Sequence, residues 1–142
     1  MVNVIPFAFR GELFSGTHNF ANGGDQFKIA LYTSIGSYNT SSTTYLTASE
    51  VSASNTGYTA GGIVLGSQAV ASGTAVASVD FADTVINSAT FGAAFAAIYN
   101  DSKSDKLCVV LDFGGTKTAT NGTFTISYPN PSTPANAIIS MA

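Results

Sequence analysis

The chain has 142 residues, of which 45% are hydrophobic and only 9% are charged. A chain of this length can form one domain without a metal or a disulfide, and its hydrophobic content excludes a disordered polymer. Five scattered basic residues against eight acidic ones give a net charge of −3, so we expect neither nucleic acid nor an anionic membrane as a partner. No apolar run approaches the roughly 20 residues that span a bilayer.

The first predicted element is a short helix over residues 6–16. Pro6 suits the first helical position because its ring fixes φ and it lacks the N–H donor. Phe9 and Leu13 lie one turn apart, and Gly16 suits the position after a helix end. We expect this helix to cover one open end of a β-structure. The segment before it has no basic region followed by an apolar stretch, so we expect no secretory signal.

From residue 27 onward, hydrophobic side chains recur every second residue in several runs, which is typical of β-strands. The runs are short and bounded by Gly, Asn, Asp or Pro. They cover residues 27–33, 74–81, 91–99, 107–113 and 123–128. The alanines of the third run would also suit a helix, but its aromatic spacing and the neighbouring strands favour a strand. In the fourth run the second face is apolar as well.

Turn sequences separate these runs. Asn121-Gly122 predicts a type I′ hairpin turn, in which both central residues need a positive φ. Strands about 8–12 residues apart suit a sandwich or a barrel. We therefore predict an all-β, mainly antiparallel fold: a single β-sandwich or jelly-roll-like domain over residues 1–142, with the short N-terminal helix and extended termini.

Two segments fall outside the strand pattern. Residues 36–62 form a long connection, which we expect to be an ordered surface loop rather than core, with a helix-capping box at 47–50. Residues 129–142 form a Pro-rich C-terminal extension, because three prolines there prevent a regular ladder. Its apolar tip, residues 137–139, is predicted to be either a last strand or an arm on a neighbouring subunit.

Few side chains are candidates for a catalytic or metal-binding role. His18 is the only histidine, and nothing around it resembles a nucleophile elbow, so we interpret it as a structural hydrogen-bonding residue. Cys108 is the only cysteine, and its apolar neighbours predict a buried, unreactive thiol in a protein folded in a reducing cytoplasm. One His and one Cys do not make a zinc site without carboxylates.

The carboxylates provide no better candidate. Asp80 and Asp83 would lie on opposite faces of a strand, and a strand end entering an Asx turn is the simpler interpretation. Residues 100–105 concentrate oxygen ligands but lack the Gly and the bidentate Glu of an EF-hand, so a solvated hairpin loop is favoured over a weak calcium site. Residues 114–117 are not a phosphate-binding loop. We expect no catalytic residue, no cofactor and no metal, and hence not an enzyme.

Seven segments of the sequence, taken together in their order and spacing, match a known pattern. They are FRGELFSGTHNF (9–20), FKIALYTS (27–34), TYLTASEVS (44–52), GYTAGG (57–62), VDFADT (79–84), ATFGAAFAAIYN (89–100) and VVLDFGGTKTATNGTFTI (109–126). Together they resemble a family of small virion structural proteins of tailed bacteriophages. Two features depart from that pattern: no Trp stands near Val85, and Ala94 and Phe95 replace expected polar or basic residues. The resemblance implies a structural role in a phage particle and brings no catalytic residue with it.

The leading hypothesis is a capsid decoration or cement protein of the virion, synthesised in the host cytoplasm. Its partners would be the major capsid protein and neighbouring copies of itself, since a Ser- and Thr-rich surface with few charges suits a subunit packed against others. The extended termini would pair with adjacent chains. The partner-binding candidates are Val2, Val4, Ile5, Ile138 and Ile139, for which packing within the same domain is an equal alternative.

Two other functions stay open at this point. One is a head–tail connector, or a tail ring or adaptor subunit, in the same kind of particle. The other is a carbohydrate-binding β-sandwich for host attachment. In that case four tyrosines would replace the Trp that sugar platforms usually contain, namely Tyr32, Tyr38, Tyr45 and Tyr58.

Overall fold

The computed structural model describes residues 3–129 and 137–141. These residues form one α-helix, a short 3-10 helix after the fifth strand, and seven strands. The elements are α1 (Phe7–Phe14), β1 (Phe27–Tyr32), β2 (Ile63–Val64), β3 (Ala69–Ser72), β4 (Ala77–Asp80), β5 (Thr84–Asn100), the 3-10 helix (Asp101–Lys103), β6 (Lys106–Ile126) and β7 (Ile139–Met141).

The strands form two antiparallel sheets, which confirms the predicted all-β, sandwich-like fold with a short N-terminal helix. The first sheet has four strands in the order β2-β1-β5-β6, and the second has three in the order β3-β4-β7. The long strands β5 and β6 form a hairpin that pairs from Thr84 opposite Ile126 to Asn100 opposite Lys106. Residues 101–105 are therefore a hairpin loop, as predicted, whereas Asn100 still belongs to β5 and is buried.

The main hydrophobic core lies on one face of the four-stranded sheet. Ile29 of β1 and Ile98 of β5 are fully buried there, together with Ile139 from the second sheet at 6% exposure. The rings of Phe20 and Phe27 stack in this core with their centroids 4.2 Å apart. Each such side chain contributes about 1.5–3 kcal/mol on burial, so the core stabilises the fold without a disulfide.

The opposite face of the same sheet is buried as well. Tyr32 of β1 and Leu107 and Val110 of β6 form a second cluster there, together with Tyr38 from the long loop. This second cluster explains why the 107–113 run is apolar on both faces.

The long connection over 36–62 lies against the sheet as an ordered loop, but the prediction that it stays out of the core is wrong. Tyr38, Val51 and Tyr58 are at most 5% exposed. The predicted capping box is a turn rather than a helix start, since Ser49 within it adopts a φ of 64°. The loop therefore contributes to both clusters, with Val51 and Tyr58 in the main core and Tyr38 in the cluster on the opposite face of the sheet.

The hairpin predicted at Asn121-Gly122 is wrong. β6 runs through this dipeptide without turning, because β5 pairs with it on both sides, Phe91 opposite Ala119 and Ala89 opposite Gly122. The register shifts there, and Asn121 adopts a φ of 47°, which is the conformation of a β-bulge. A type I′ turn and a bulge both use the left-handed tolerance of Asn, so the long-range pairing with β5 decides between them.

Helix α1 is shorter than predicted at both ends. Pro6 has a ψ of 149° and precedes the helix instead of being its first residue. At the other end, Gly16 adopts a φ of 70°. Its N–H donates to the Leu13 carbonyl, and the Thr17 N–H donates to the Glu12 carbonyl. This is a Schellman ending, which confirms that Gly16 ends the helix.

Candidate functional site

The predicted partner-binding residues at the N-terminus lie against the chain's own sheet. Val4 pairs with Val110 on the outer edge of β6, and each N–H donates to the other residue's carbonyl at 2.8 Å. Ile5 is partly buried and packs on the main core. Val2 lies outside the described residues.

The C-terminal candidates also contact the chain itself. Ile139 begins β7 and pairs with Val79 of β4, and Ile138 is partly buried against the main core. Of the two alternatives for the apolar tip, the structure has a last strand, but it covers Ile139–Met141 rather than residues 137–139. For the four described candidates, the contacts present are those of packing within the same domain.

A network of polar side chains joins α1 to the end of the β5–β6 hairpin. Glu12 of α1 accepts hydrogen bonds from Lys106 Nζ at 2.5 Å and from His18 Nε2 at 2.8 Å. Asn100 Nδ2 donates to His18 Nδ1 at 3.0 Å and to Asp25 Oδ2 at 2.9 Å. The side chains of His18 and Asn100 are fully buried. One continuous network thus holds together the helix, the loop after it and both hairpin strands.

The donors and acceptors of this network fix the form of His18. The amide nitrogen of Asn100 can only donate, so Nδ1 of His18 accepts and its Nε2 carries the proton donated to Glu12. The reversed amide would set the Asn100 oxygen against the carboxylate of Asp25. Both ring nitrogens are therefore engaged within the protein, and the interpretation of His18 as a structural residue fits this arrangement.

The same contacts shift the two carboxyl groups of the network. Partial burial alone would raise the pKa of Glu12, but hydrogen bonds from Lys106 and His18 outweigh it and lower that pKa. Desolvation of Asp25 is likewise outweighed, first by the hydrogen bond from Asn100, and its pKa is lowered as well. Both groups are thus held as carboxylates by the folded structure.

A second polar cluster ties the long loop to the sheet. The carboxylate of Glu50 accepts from the Tyr45 hydroxyl at 2.6 Å, the Tyr58 hydroxyl at 2.7 Å and the Gly61 N–H at 2.8 Å. The Tyr58 hydroxyl in turn accepts from the Leu31 N–H of β1 at 3.0 Å. Burial, and then the hydrogen bond to Glu50, raise the pKa of both tyrosines, so both hydroxyls remain protonated donors.

Three of the four tyrosines of the carbohydrate-binding hypothesis are buried, and the fourth, Tyr45, is partly buried. Tyr32, Tyr38 and Tyr58 are at most 5% exposed, and the hydroxyls of the first two hydrogen-bond each other at 2.9 Å. Tyr45 stacks on Tyr99 with ring centroids 4.7 Å apart. A sugar-binding platform needs an aromatic face open to the ligand, which the three buried rings do not supply, and Tyr99 covers one face of the Tyr45 ring.

Two further residues considered for chemistry, Cys108 and Asp83, are buried or hydrogen-bonded within the fold. Cys108 is fully buried, and burial raises the pKa of its thiol well above the ordinary value, which fits the prediction of an unreactive cysteine. Asp83 accepts from the Ser127 hydroxyl and the Tyr128 N–H, each at 3.0 Å. Within residues 3–129 and 137–141, no three His, Cys, Asp or Glu side chains are grouped as a metal site requires.

The surface presents exposed apolar side chains beside α1. Phe7 and Phe14 of the helix are 61% and 93% exposed, and Val70 of β3 and Met141 of β7 are 54% and 57% exposed. Between the helix and the second sheet lies a groove of about 440 Å³, whose lining includes Leu13, Val70 and Met141. We call the four exposed side chains together with this groove the apolar patch.

A second, larger groove of about 600 Å³ follows the far half of β6 and is lined in part by residues 123–129. The outer edge of β6 is bridged at Lys106 by Thr44 and at Val110 by Val4. Beyond these bridges, the described chain supplies no strand for the outer edge of residues 113–126. We call this segment the open edge of β6.

Sequence reasoning missed both surfaces, although part of the signal was present. Phe7 and Phe14 are two helical turns apart, on the side of the helix away from Phe9. Val70 and Met141 come together only because β3 and β7 both pair with β4, and such a pairing is not readable from local periodicity. The open edge follows from the same long-range pairing.

Comparison with known proteins adds no assignment. No protein-family model matches the chain, and no curated protein or solved structure matches it. Among the residues that the structure describes, no helix is long and apolar enough to cross a membrane. The surfaces themselves and the resemblance of the sequence phrases therefore carry the functional argument.

Proposed function

We propose that the chain is a structural subunit of a tailed-phage virion, a capsid decoration or cement protein that binds the major capsid protein and stabilises the shell. One observation carries this proposal. The side chains suited to chemistry, such as His18, Cys108 and Glu50, are engaged or buried within the fold. The described surface offers apolar side chains and a strand edge instead. Such a molecule acts by contacting other chains.

The charges of the molecule support this proposal. Three of its five basic residues pair with its own acids: Lys28 with Asp101 at 2.8 Å, Lys106 with Glu12 at 2.5 Å, and Lys103 with an aspartate at 3.7 Å. The net charge of −3 over 142 residues is small, so neighbouring copies repel each other only weakly at long range. A surface of this kind tolerates the dense packing of many copies on a particle.

The open edge of β6 supports a contact with the shell. Unpaired N–H and C=O groups along a strand edge can accept an added strand, and main-chain hydrogen bonds then supply the affinity. Thr and Gly dominate residues 113–126, and Lys117 is the only charged residue among them. A strand of the major capsid protein, added to this edge, would stabilise the shell by binding its assembled form.

Copies per particle test this proposal. Quantitative mass spectrometry of purified virions should find the chain in hundreds of copies, and the purified chain should co-sediment with empty capsids and raise their thermal stability. About six or twelve copies would instead identify the connector or tail ring, whose cyclic symmetry fixes such numbers. Absence from purified virions would overturn a structural role altogether.

A further inference from the structure

We propose that His18, Asn100 and Asp25 form a two-state proton switch, in which His18 and Asp25 take up protons together because both hydrogen-bond to the amide of Asn100. The amide donates to both groups in one state and accepts from both in the other. The switch lies inside the fold, at the junction of α1 and the β5–β6 hairpin, and does not depend on the proposed function. It gives the buried histidine a role beyond holding the structure together.

Asn100 contacts both groups through the same end of its amide. Its Nδ2 donates to Nδ1 of His18 at 3.0 Å and to Oδ2 of Asp25 at 2.9 Å. The other end of the amide, Oδ1, is buried and has no hydrogen-bond partner among the described residues. A reversal of the amide would therefore break no hydrogen bond at the oxygen end. The present orientation is maintained by the two acceptors at the nitrogen end.

One end of an amide cannot serve a donor and an acceptor at the same time. A proton on Nδ1 of His18 would face the N–H groups of Asn100, and a reversed amide would instead set its oxygen against the carboxylate of Asp25. When His18 and Asp25 both carry a proton, the reversed amide accepts from each, and both hydrogen bonds are restored. The step adds two protons from solvent, one at His18 Nδ1 and one at Asp25 Oδ2. Proton uptake at the two sites is therefore positively coupled.

The positions of His18 and Asp25 keep Asn100 between them. Both accept from one nitrogen whose two N–H bonds diverge, so the two acceptor atoms lie on the order of 5 Å apart, too far for a direct hydrogen bond. The side chain of His18 is fully buried against the rings of Phe9 and Phe27, at centroid distances of 5.1 and 6.5 Å. This packing holds the imidazole in place, so a proton on Nδ1 must be accommodated by Asn100.

The surrounding ionisable groups place the transition of the switch in acid. Those that face His18 and Asp25 come from α1, β6 and the hairpin loop, and they are Glu12, Lys106, Cys108 and Lys103. Glu12 accepts from Nε2 of His18 at 2.8 Å, so the imidazolium that forms lies against a carboxylate. Lys103 lies 3.7 Å from the carboxylate of Asp25 and favours its charged form, so acid is needed to protonate it. Burial raises the pKa of the Cys108 thiol, which therefore stays neutral.

Nuclear magnetic resonance of the isotope-labelled full chain tests the coupling, and the signal of His18 is unambiguous because it is the only histidine. Long-range proton–nitrogen spectra at neutral pH should show Nδ1 bare and Nε2 protonated. On acidification, Nδ1 should take up its proton at the pH at which the Asp25 carboxyl carbon signal changes, along a curve steeper than that of one independent proton. Protonation of either group without the other, or loss of the fold before both are protonated, would overturn the switch.

Asp25→Asn separates this coupling from an ordinary charge effect. An Asn side chain can donate to the reversed amide of Asn100 or accept from the present one, so His18 should take up its proton about one pH unit or more higher than in the unaltered protein. Loss of a nearby negative charge by itself has the opposite effect on an imidazolium. Asp101→Asn is the matched control, because it removes a carboxylate that pairs with Lys28 and leaves both partners of the Asn100 amide in place. A shift to lower pH in Asp25→Asn, or equal shifts in both variants, would contradict the proposal.

Discussion

Asn100 connects the two halves of the polar network at the end of the hairpin. It is fully buried at the last position of β5, and its amide nitrogen serves two acceptors at once, a ring nitrogen of His18 and a carboxylate oxygen of Asp25. A side chain that accepts instead of donates would face two acceptors with no proton between them. The identity of this residue therefore controls how α1 and the loop after it are held.

We expect Asn100→Asp to lower the free energy of unfolding at neutral pH by about 3 kcal/mol or more, because it buries a second carboxylate against Asp25. Urea denaturation followed by circular dichroism measures the loss. Asn87→Asp is the matched control, since Asn87 lies on the same strand with its side chain exposed. Equal stability of the two variants would show that the network does not hold the helix.

At the scale of elements, the long loop joins the first sheet through Gly62. This glycine precedes β2 with a φ of 87°, and a Cβ at this position would overlap the carbonyl of Ile29 in β1. Ile63, the next residue, pairs with Ile29. The close approach of the two backbones thus depends on the absence of a side chain.

Gly62→Ala is expected to lower the free energy of unfolding by about 2 kcal/mol or more, from the left-handed conformation and the overlap together. Gly66→Ala is the control, because a Cβ there meets no atom within 4 Å and its φ is not positive. That control should be neutral or stabilise by up to about 1 kcal/mol, through the unfolded chain. Thermal denaturation of both variants compares them, and equal melting temperatures would contradict the close approach.

Helix α1 should detach in acid. Glu12 and Asp25 have lowered pKa values in the folded protein, so the stability that they contribute is present above their unfolded pKa values of about 4. It is lost as the pH falls through the lower folded values, because the folded state then binds protons more weakly than the unfolded state. The free energy of unfolding, measured by urea denaturation, should therefore fall less between neutral and acidic pH in Glu12→Gln than in the unaltered protein. If the free energy of unfolding fell equally with pH in both proteins, other carboxylates would be responsible for the loss.

Elements with a strong local signal could be predicted from the sequence. The alternation in 27–33 and 107–113 predicts β1 and the first half of β6, and Gly16 ends α1 because no other residue takes a φ of 70° so readily. The prediction failed where the same local backbone preference is compatible with two different structures. Asn121 suits a turn and a bulge equally, and only its pairing partner on β5 distinguishes them.

The candidate surfaces could be predicted only in part, for the same reason. The spacing of Phe7 and Phe14 places them on one side of a helix. The groove beside them depends on the order of β3, β4 and β7, and strand order results from long-range pairing that local periodicity does not encode. Likewise, 36–62 looked like a polar excursion because Ser and Thr outnumber its three buried side chains.

For the molecule as a whole, tyrosine replaces both charge and tryptophan as the source of specific contacts. The chain has six tyrosines and no tryptophan, and each tyrosine has a raised pKa with burial as the largest cause. For Tyr128 the pKa rises to about 12. Five of the six are at most 9% exposed, namely Tyr32, Tyr38, Tyr58, Tyr99 and Tyr128. The fold is therefore stable only while these hydroxyls keep their protons.

We expect the protein to unfold sharply in alkali. The folded pKa values exceed the unfolded value of about 10, so the tyrosines contribute their full stability below that pH and lose it as the pH rises. Each buried tyrosine costs up to about 1.4 kcal/mol per pH unit above the unfolded pKa, and five together approach the 5–15 kcal/mol that holds a domain folded. Unfolding should therefore be complete within about one to two pH units above 10.

The absence of tryptophan makes this transition easy to follow, because the near-ultraviolet absorbance then reports tyrosine ionisation alone. Tyrosinate absorbance and far-ultraviolet circular dichroism should change together in one steep step, whereas the urea-unfolded chain should titrate gradually around pH 10. Tyr128→Phe removes one titrating group and should make the alkaline step less steep, whereas the loss of the hydrogen bond with Thr84 lowers stability equally at every pH and leaves that steepness unchanged. A gradual titration with an unchanged dichroism spectrum would contradict the assignment, because it would place the hydroxyls in contact with solvent.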